Sequence, residues 1–213
     1  MLRGIIFDLD GTLADTLEDI ADAMNHALSH AGFPTHPVSA YRDFVGEGVE
    51  ILAERVLPTG QRNARGALVA SFRSQYGAHL VDKSRPFPGI LTLLGTLAER
   101  GVPTAVLSNK PEPATLEVVR RLFGGCSLAP VVGQRPKVPR KPDPASALGI
   151  SRTLAVPPSS CALVGDTPID MATARAAGML PVGVAWGFRS PEELMDCGAH
   201  VVLRNPMELL GLL

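Results

Sequence analysis

Apolar and polar positions alternate between two periods along this chain, and the changes of period mark its elements. The short apolar run Gly4, Ile5, Ile6, Phe7 is followed at once by Asp8-Leu9-Asp10-Gly11-Thr12. Such a run closed by a turn predicts a short buried strand with two acids at its carboxyl end. After Asp15 the spacing changes: Leu17, Ile20, Ala21, Met24, Ala27, Leu28 and Ala31 recur at three and four until Gly32, which predicts an amphipathic helix. A second helical stretch, about 49–57, follows the Gly46-Glu47-Gly48 turn. A third, about 64–81, carries Leu68, Phe72, Tyr76 and Leu80 on one stripe. Residues 15–82 therefore read as wholly helical and interrupt the chain between the first strand and everything after it. This arrangement predicts an inserted helical cap on a core formed by 1–14 and 83–213.

From Gly89 strands and helices alternate. A helix runs to Arg100 and stops at Gly101, and a strand over 103–107 ends at Ser108-Asn109. There follow a helix about 113–123, a short strand at 131–132, a helix near 143–154 and a strand over 161–164 ending at Gly165-Asp166. Strands at 181–185 and 200–203 and a short closing helix at 206–213 complete the chain. This rhythm predicts an α/β fold, a Rossmann-like parallel sheet carrying the inserted helical cap. Parallel strands would bring Asp8/Asp10, Ser108/Asn109 and Asp166 to one edge, where open α/β sheets hold ligands.

Composition narrows the partners. With 213 residues, 46% of them hydrophobic, and a mean hydropathy of +0.17, the chain can bury a large core. Twenty basic against twenty-one acidic residues leave a formal charge of -1 with no basic run. That argues against nucleic acid or an anionic membrane and for a small-molecule partner. Three scattered cysteines without CxxC spacing, no membrane-length apolar stretch and no signal-peptide pattern lead us to expect a reduced, cytoplasmic setting, with the protein a monomer or homodimer. Lysines are scarce, Lys83, Lys110, Lys137 and Lys141 only, and two of them, Lys110 and Lys141, directly precede a proline.

The acids suggest chemistry. In extended backbone residues i and i+2 share a face, so Asp8 and Asp10 can work as a pair, one a nucleophile or metal ligand and the other a general acid. Two adjacent carboxylates call for a counter-charge, which a divalent cation supplies. In Gly165-Asp166-Thr167-Pro168-Ile169-Asp170, Thr167 is a plausible helix N-cap and Pro168 a first helical residue. Capping explains Asp170 well. It explains Asp166 poorly, because this acid directly follows four apolar residues, so Asp166 is the expected metal ligand. Lys141, in the proline-bounded Arg140-Lys141-Pro142-Asp143-Pro144 loop, is the cation best placed to offset phosphoryl charge.

Together these segments resemble the haloacid dehalogenase-like superfamily of phosphohydrolases, in its subgroup with an inserted helical cap. The family's four motifs are matched in order by Asp8 to Thr12, Ser108, Lys141 and Gly165 to Asp170. The resemblance implies that Asp8 attacks phosphorus to form an aspartyl-phosphate, and that Asp10 protonates the leaving group and later activates water. It also implies that Ser108 and Lys141 bind phosphoryl oxygens, and that Mg2+ is held by Asp8, the Asp10 main-chain carbonyl, Asp166 and Asp170. The second acid, Asp10, separates this chain from the family's dehalogenases and ion pumps. The lack of a lysine within the cap separates it from its phosphonate hydrolases.

Phe44 to Gly48, Ser108 to Pro111, 131–144 and Trp186-Gly187-Phe188 further resemble the phosphoglycolate phosphatase subgroup, although the loop between Gly133 and Lys141 is richer in proline and basic residues. That resemblance makes Thr12, Gly46, Glu47, Gly48, Asn109 and Lys110 the expected substrate-binding residues, with Lys110, Arg42 or Arg189 meeting a glycolate carboxylate. A nucleotide or pyrophosphate phosphatase, a phosphosugar mutase and a non-catalytic binding module are the alternative readings.

Overall fold

The structure, a computed structural model, describes residues 2–213. Its centre is strand β1 (Gly4–Phe7), every residue of which is buried. The remaining strands of the main sheet lie late in the chain, and two short strands, β2 (Ala14–Asp15) and β3 (Arg85–Pro86), form a separate antiparallel ribbon. Between these two short strands run the helices α1 (Leu17–His30), α2 (Tyr41–Phe44), α3 (Val49–Val56) and α4 (Arg65–Ala78). After β3 come α5 (Ile90–Glu99), β4 (Thr104–Pro111), α6 (Glu112–Phe123), β5 (Leu128–Gln134), α7 (Ala145–Thr153), β6 (Cys161–Gly165), α8 (Pro168–Ala176), β7 (Leu180–Val184), α9 (Pro191–Asp196) and β8 (Val201–Leu203).

The six-stranded sheet has the order β5-β4-β1-β6-β7-β8 and is parallel throughout. The chain leaves β1 for β4 on one side and returns to β6 on the other, so the strand order reverses at β1. A crevice opens at such a point, just beyond the carboxyl ends of the strands. Side-chain alternation along β1 feeds two cores: Ile5 and Phe7 join the one shared with the helical segment, and Ile6 packs with Ala105, Leu107 and Leu163 on the other face. The helical segment and the sheet share one continuous apolar cluster, and residues of α1, α3 and α4 wall the crevice.

The expected elements are present, with several differences. Strand β4 does not stop at Leu107 but continues to Pro111, with a break in register against β5 between Leu107 and Pro111. This irregularity aims Ser108, Asn109 and Lys110. Helix α4 ends at Ala78, so the buried Leu80 lies beyond it. The closing segment is a 3-10 helix, Pro206–Leu212. Helix α9 was not expected, although Ser190 and Glu193 carry the S-x-x-E start signal and the Ser190 hydroxyl accepts the Glu193 N–H at 3.2 Å. The β2–β3 ribbon was also missed, since two-residue pairings leave no periodicity to read. No helix among the described residues is long and apolar enough to cross a membrane.

Candidate active site

Asp8 follows β1 directly, and its main-chain N–H continues the ladder to Val164 at 2.9 Å. This pairing fixes the acid beside Asp166 and Asp170, which follow β6. One carboxylate oxygen from each of the three residues lies within 4.8 Å of the others, and all three are buried. Among the described residues this is the one group of three acids able to share a metal ion.

Each acid is gripped separately. Asp166 accepts the Thr12 hydroxyl at 3.0 Å on one oxygen and the Phe188 N–H at 2.9 Å on the other. A Cβ at Gly11, whose φ is +86°, or at Gly187 would overlap the Asp166 carboxyl group. Asp170 accepts the Thr167 N–H at 3.1 Å and hydroxyl at 2.6 Å through one oxygen, the expected capping role, while its other oxygen takes Lys141 Nζ at 2.6 Å. Lys141 Nζ also lies 2.9 Å from Asp8 Oδ1. That contact is an ion pair out of line for a hydrogen bond, and Asp8 Oδ1 has no hydrogen-bond partner. Burial pushes Asp8 up to about 7 against the pull of Lys141, and Asp170 raises it further. Burial also holds Asp166 well above the usual carboxylate range, with Asp8 and Asp170 adding to the effect. Burial alone would lower Lys141, but Asp170 and Asp8 raise it and keep it charged. Were all three carboxylates ionised, one ammonium would leave two negative charges uncompensated. Hard oxygen ligands with that excess suit a divalent cation.

On the other side of Asp8 lies a cavity of about 440 Å³ between the sheet edge and the helical segment, walled by Asp8, Asp10, Ser108 and Lys110 below and by residues of α3 and α4 above. Ser108 Oγ accepts the Lys110 N–H at 3.2 Å, leaving its own proton to donate. Asp10 does not join the acid cluster through its side chain. Its carboxylate takes Lys110 Nζ at 2.7 Å on both oxygens and the Thr16 hydroxyl at 2.6 Å. Lys110, itself buried, rests over the Tyr76 ring at 4.9 Å from the centroid.

A family model for haloacid dehalogenase-like hydrolases matches residues 5–184, which include both acid clusters, Ser108 and Lys141. The chain belongs to the haloacid dehalogenase-like hydrolases. Among curated members it is 34% identical to the phosphoglycolate phosphatase of Rhodospirillum rubrum, over 95% of this chain and 87% of that one. It is 31% identical to that of Yersinia pestis, over 98% and 92%. A solved structure from Lactobacillus delbrueckii subsp. bulgaricus, assigned by inference as a phosphoglycolate phosphatase, superimposes with a TM-score of 0.90 at 32% identity, over 97% of this chain and 96% of that one. A haloacid dehalogenase-like protein of Streptococcus pneumoniae, at 24% identity, shares the fold with a TM-score of 0.88 over 99% of this chain and 98% of that one. This haloacid dehalogenase-like hydrolase is thus of the phosphatase type.

Against that family background the expected substrate residues divide. Gly46, Gly48, Asn109 and Lys110 line the cavity. Glu47 does not: its side chain turns outward to Arg55, and only its carbonyl is used, accepting Arg140 Nη1 at 2.7 Å. Thr12 is spent on Asp166 and, through its carbonyl, on Trp186 Nε1 at 3.0 Å. Asn109 uses its amide to join Gly46 O at 3.1 Å to the main chain of Lys141. Arg42 and Arg189 are committed to carbonyls where helical segment and sheet meet, Arg42 to Gly187 O and Arg189 to Arg42, Asp43 and Val45. Lys83 pairs on the surface with Glu18 and Asp22, away from the cavity. Sequence reasoning missed Arg73 and the cavity-facing side of Tyr76. Tyr76 was read as one member of an apolar stripe, and only its hydroxyl hints at a second role.

Proposed function

We propose that the protein is a Mg2+-dependent phosphomonoesterase that carries the phosphoryl group on Asp8 and acts on a small phosphorylated metabolite, 2-phosphoglycolate being the first candidate. Residues 15–82 are its cap. The observation that carries this reading is the position of Asp8, which has a buried acid cluster and Lys141 on one side and a cavity of small-molecule size with the Ser108 hydroxyl on the other. Names of relatives that match nearly the whole chain support the choice of first substrate.

Asp8, Asp166 and Asp170 fit an Mg2+ ion, because they present buried hard oxygens in excess of local positive charge and Asp8 Oδ1 lacks a hydrogen-bond partner. The Asp10 carbonyl would join them. When bound, the ion supplies charge that offsets the phosphoryl oxygens and keeps the Asp8 carboxylate ionised. The Asp8 carboxylate attacks phosphorus while the bond from phosphorus to the ester oxygen breaks, and Asp10 gives its proton to the departing alkoxide. A water molecule then attacks phosphorus, passes a proton to Asp10 and releases inorganic phosphate as the bond to Asp8 breaks. Lys141 fixes Asp8 and offsets phosphoryl charge, and the Ser108 hydroxyl donates to a phosphoryl oxygen.

The test is phosphate release with Mg2+ across 2-phosphoglycolate, sugar phosphates, nucleoside monophosphates and pyrophosphate, with Asp8→Asn beside the natural protein. A dominant rate on 2-phosphoglycolate, lost in Asp8→Asn, is expected. Release that survives in Asp8→Asn refutes the covalent route. A different dominant substrate, still Asp8-dependent, removes 2-phosphoglycolate alone.

A further inference from the structure

Lys110 and Tyr76 stand in the cavity wall with unfinished business. Of the three cations expected to meet a substrate carboxylate, Arg42 and Arg189 do not line the cavity and turn to main-chain carbonyls instead. Arg73 lines the cavity, but its side chain is 56% exposed and paired with Glu50 at 2.9 Å. Only Lys110 presents a buried ammonium to the cavity. Its present partner is Asp10, the acid that must reach the ester oxygen. With Nζ at 2.7 Å from both Asp10 oxygens and Thr16 on one of them, that carboxylate is fully engaged. Beside this pair the Tyr76 hydroxyl, on a residue 5% exposed, makes no well-aligned hydrogen bond, with only the Lys110 ammonium, already held by Asp10, beside it. A buried hydroxyl without a partner is costly, and its natural complement is an acceptor brought by the ligand.

We infer that Lys110 and Tyr76 form a carboxylate-reading subsite, in which the substrate's carboxylate draws the Lys110 ammonium from one Asp10 oxygen and accepts the Tyr76 hydroxyl, so that the freed Asp10 oxygen takes up a proton from solvent water and gives it to the ester oxygen. The inference rests on the phosphomonoesterase reading and its first candidate substrate, and adds the residues that recognise the carboxylate and what that recognition does to Asp10. Because Lys110 touches the residue that touches the ester oxygen, the carboxylate it reads lies close to that oxygen. The geometry therefore selects phosphomonoesters whose carboxylate is one carbon from the ester oxygen. A buried ammonium must keep an anionic partner, and an uncharged substrate offers none in exchange for Asp10. Such a substrate therefore leaves the acid clamped.

Three compounds test this: 2-phosphoglycolate, ethyl phosphate, which lacks the carboxylate, and 3-phosphooxypropionate, which moves it one carbon away. The natural protein should prefer 2-phosphoglycolate in kcat/KM by at least about 100-fold over ethyl phosphate, with the longer acid between them. Lys110→Met should collapse that preference to within about tenfold. Lys110→Arg should restore part of it, and Tyr76→Phe should cut it by roughly tenfold, mainly through KM for 2-phosphoglycolate. Tyr76→Phe removes a single oxygen and decides the matter if Lys110→Met does not fold. Equal losses on all three compounds would mean a merely structural role for both residues and overturn the inference, as would a natural protein that favours the longer acid. Asp8-dependent phosphate release with no preference for a carboxylate sinks this inference alone, whereas no Asp8-dependent release from any phosphomonoester sinks the broader function with it.

Discussion

Asn109 holds the main chain of Lys141 from both directions, its Oδ1 accepting the Lys141 N–H at 2.9 Å and its Nδ2 donating to the Lys141 carbonyl at 3.2 Å. The same Nδ2 donates to Gly46 O at 3.1 Å, so one amide ties the loop that carries the lysine to the loop of the helical segment above it. Asn109→Ala leaves three main-chain groups unsatisfied in a buried site. We expect a loss of about 1–3 kcal/mol in stability and a fall in kcat on the order of 10- to 100-fold, read by denaturant unfolding and phosphate release. A full kcat in a destabilised variant would show that Lys141 is held without this residue.

Asp166→Asn should separate folding from metal binding. Removing one of three mutually repelling buried carboxylates should raise the melting temperature of the metal-free protein, since Asp166 is held well above its ordinary range by burial and by Asp8 and Asp170. The same change should increase the Mg2+ concentration for half-maximal activity by roughly 10- to 100-fold. Thermal unfolding in chelator and a Mg2+ titration of phosphate release check the two halves.

The pH dependence of the metal-free protein follows from Asp8. Its carboxyl titrates near 7 in the folded chain against 3.8 ordinarily, because burial disfavours the charge. Between those values the folded state binds more protons than the unfolded chain, so stability falls as pH rises through that window. In chelator the melting temperature should therefore be lower at pH 8 than at pH 5. Saturating Mg2+ should raise it more at pH 8 than at pH 5, since ligand carboxyls must release protons to bind the ion. Equal shifts at the two pH values would mean that Asp8 is already ionised without metal.

Arginines hold the helical segment down. Arg140 reaches Glu47 O at 2.7 Å, and Arg189 reaches carbonyls of Arg42, Asp43 and Val45. Hydrogen bonds to a charged donor contribute about 1.5–3 kcal/mol. Arg140→Ala and Arg189→Ala should each raise KM by roughly 10-fold and speed proteolysis within residues 15–82. A KM within twofold of the natural value in both variants would show that closure does not depend on these contacts.

The site was legible in the sequence where local pattern determines position. Asp8, Asp166 and Asp170 follow apolar runs or begin a helix, and parallel pairing of β1 with β6 brings them together. Ser108 was placed by the same logic, and Lys141 by its proline-bounded loop, where a fixed cation could offset phosphoryl charge. Residues whose role depends on packing between distant elements were harder to read. The partner of Lys110 is one hundred positions away, and pairing them needed the bulged end of β4. Glu47 belongs to a loop that does reach the cavity, yet its side chain faces Arg55 because only the flanking glycines approach. Arg140, in the loop whose basic character had no sequence explanation, proves to hold that same loop.

The β2–β3 ribbon makes the chain enter and leave its helical segment at one place, with Ala14 opposite Pro86 and Asp15 opposite Arg85. The upper wall of the cavity is carried on the chain between those two pairs, while Asp8, Lys141, Asp166 and Asp170 lie wholly outside them. A different helical segment spliced at this ribbon would keep the acid cluster, Lys141 and the cavity floor with Lys110, and would replace the upper wall, Tyr76 included. Half of what surrounds a ligand here is therefore exchangeable at a single seam, and the other half is fixed in the sheet.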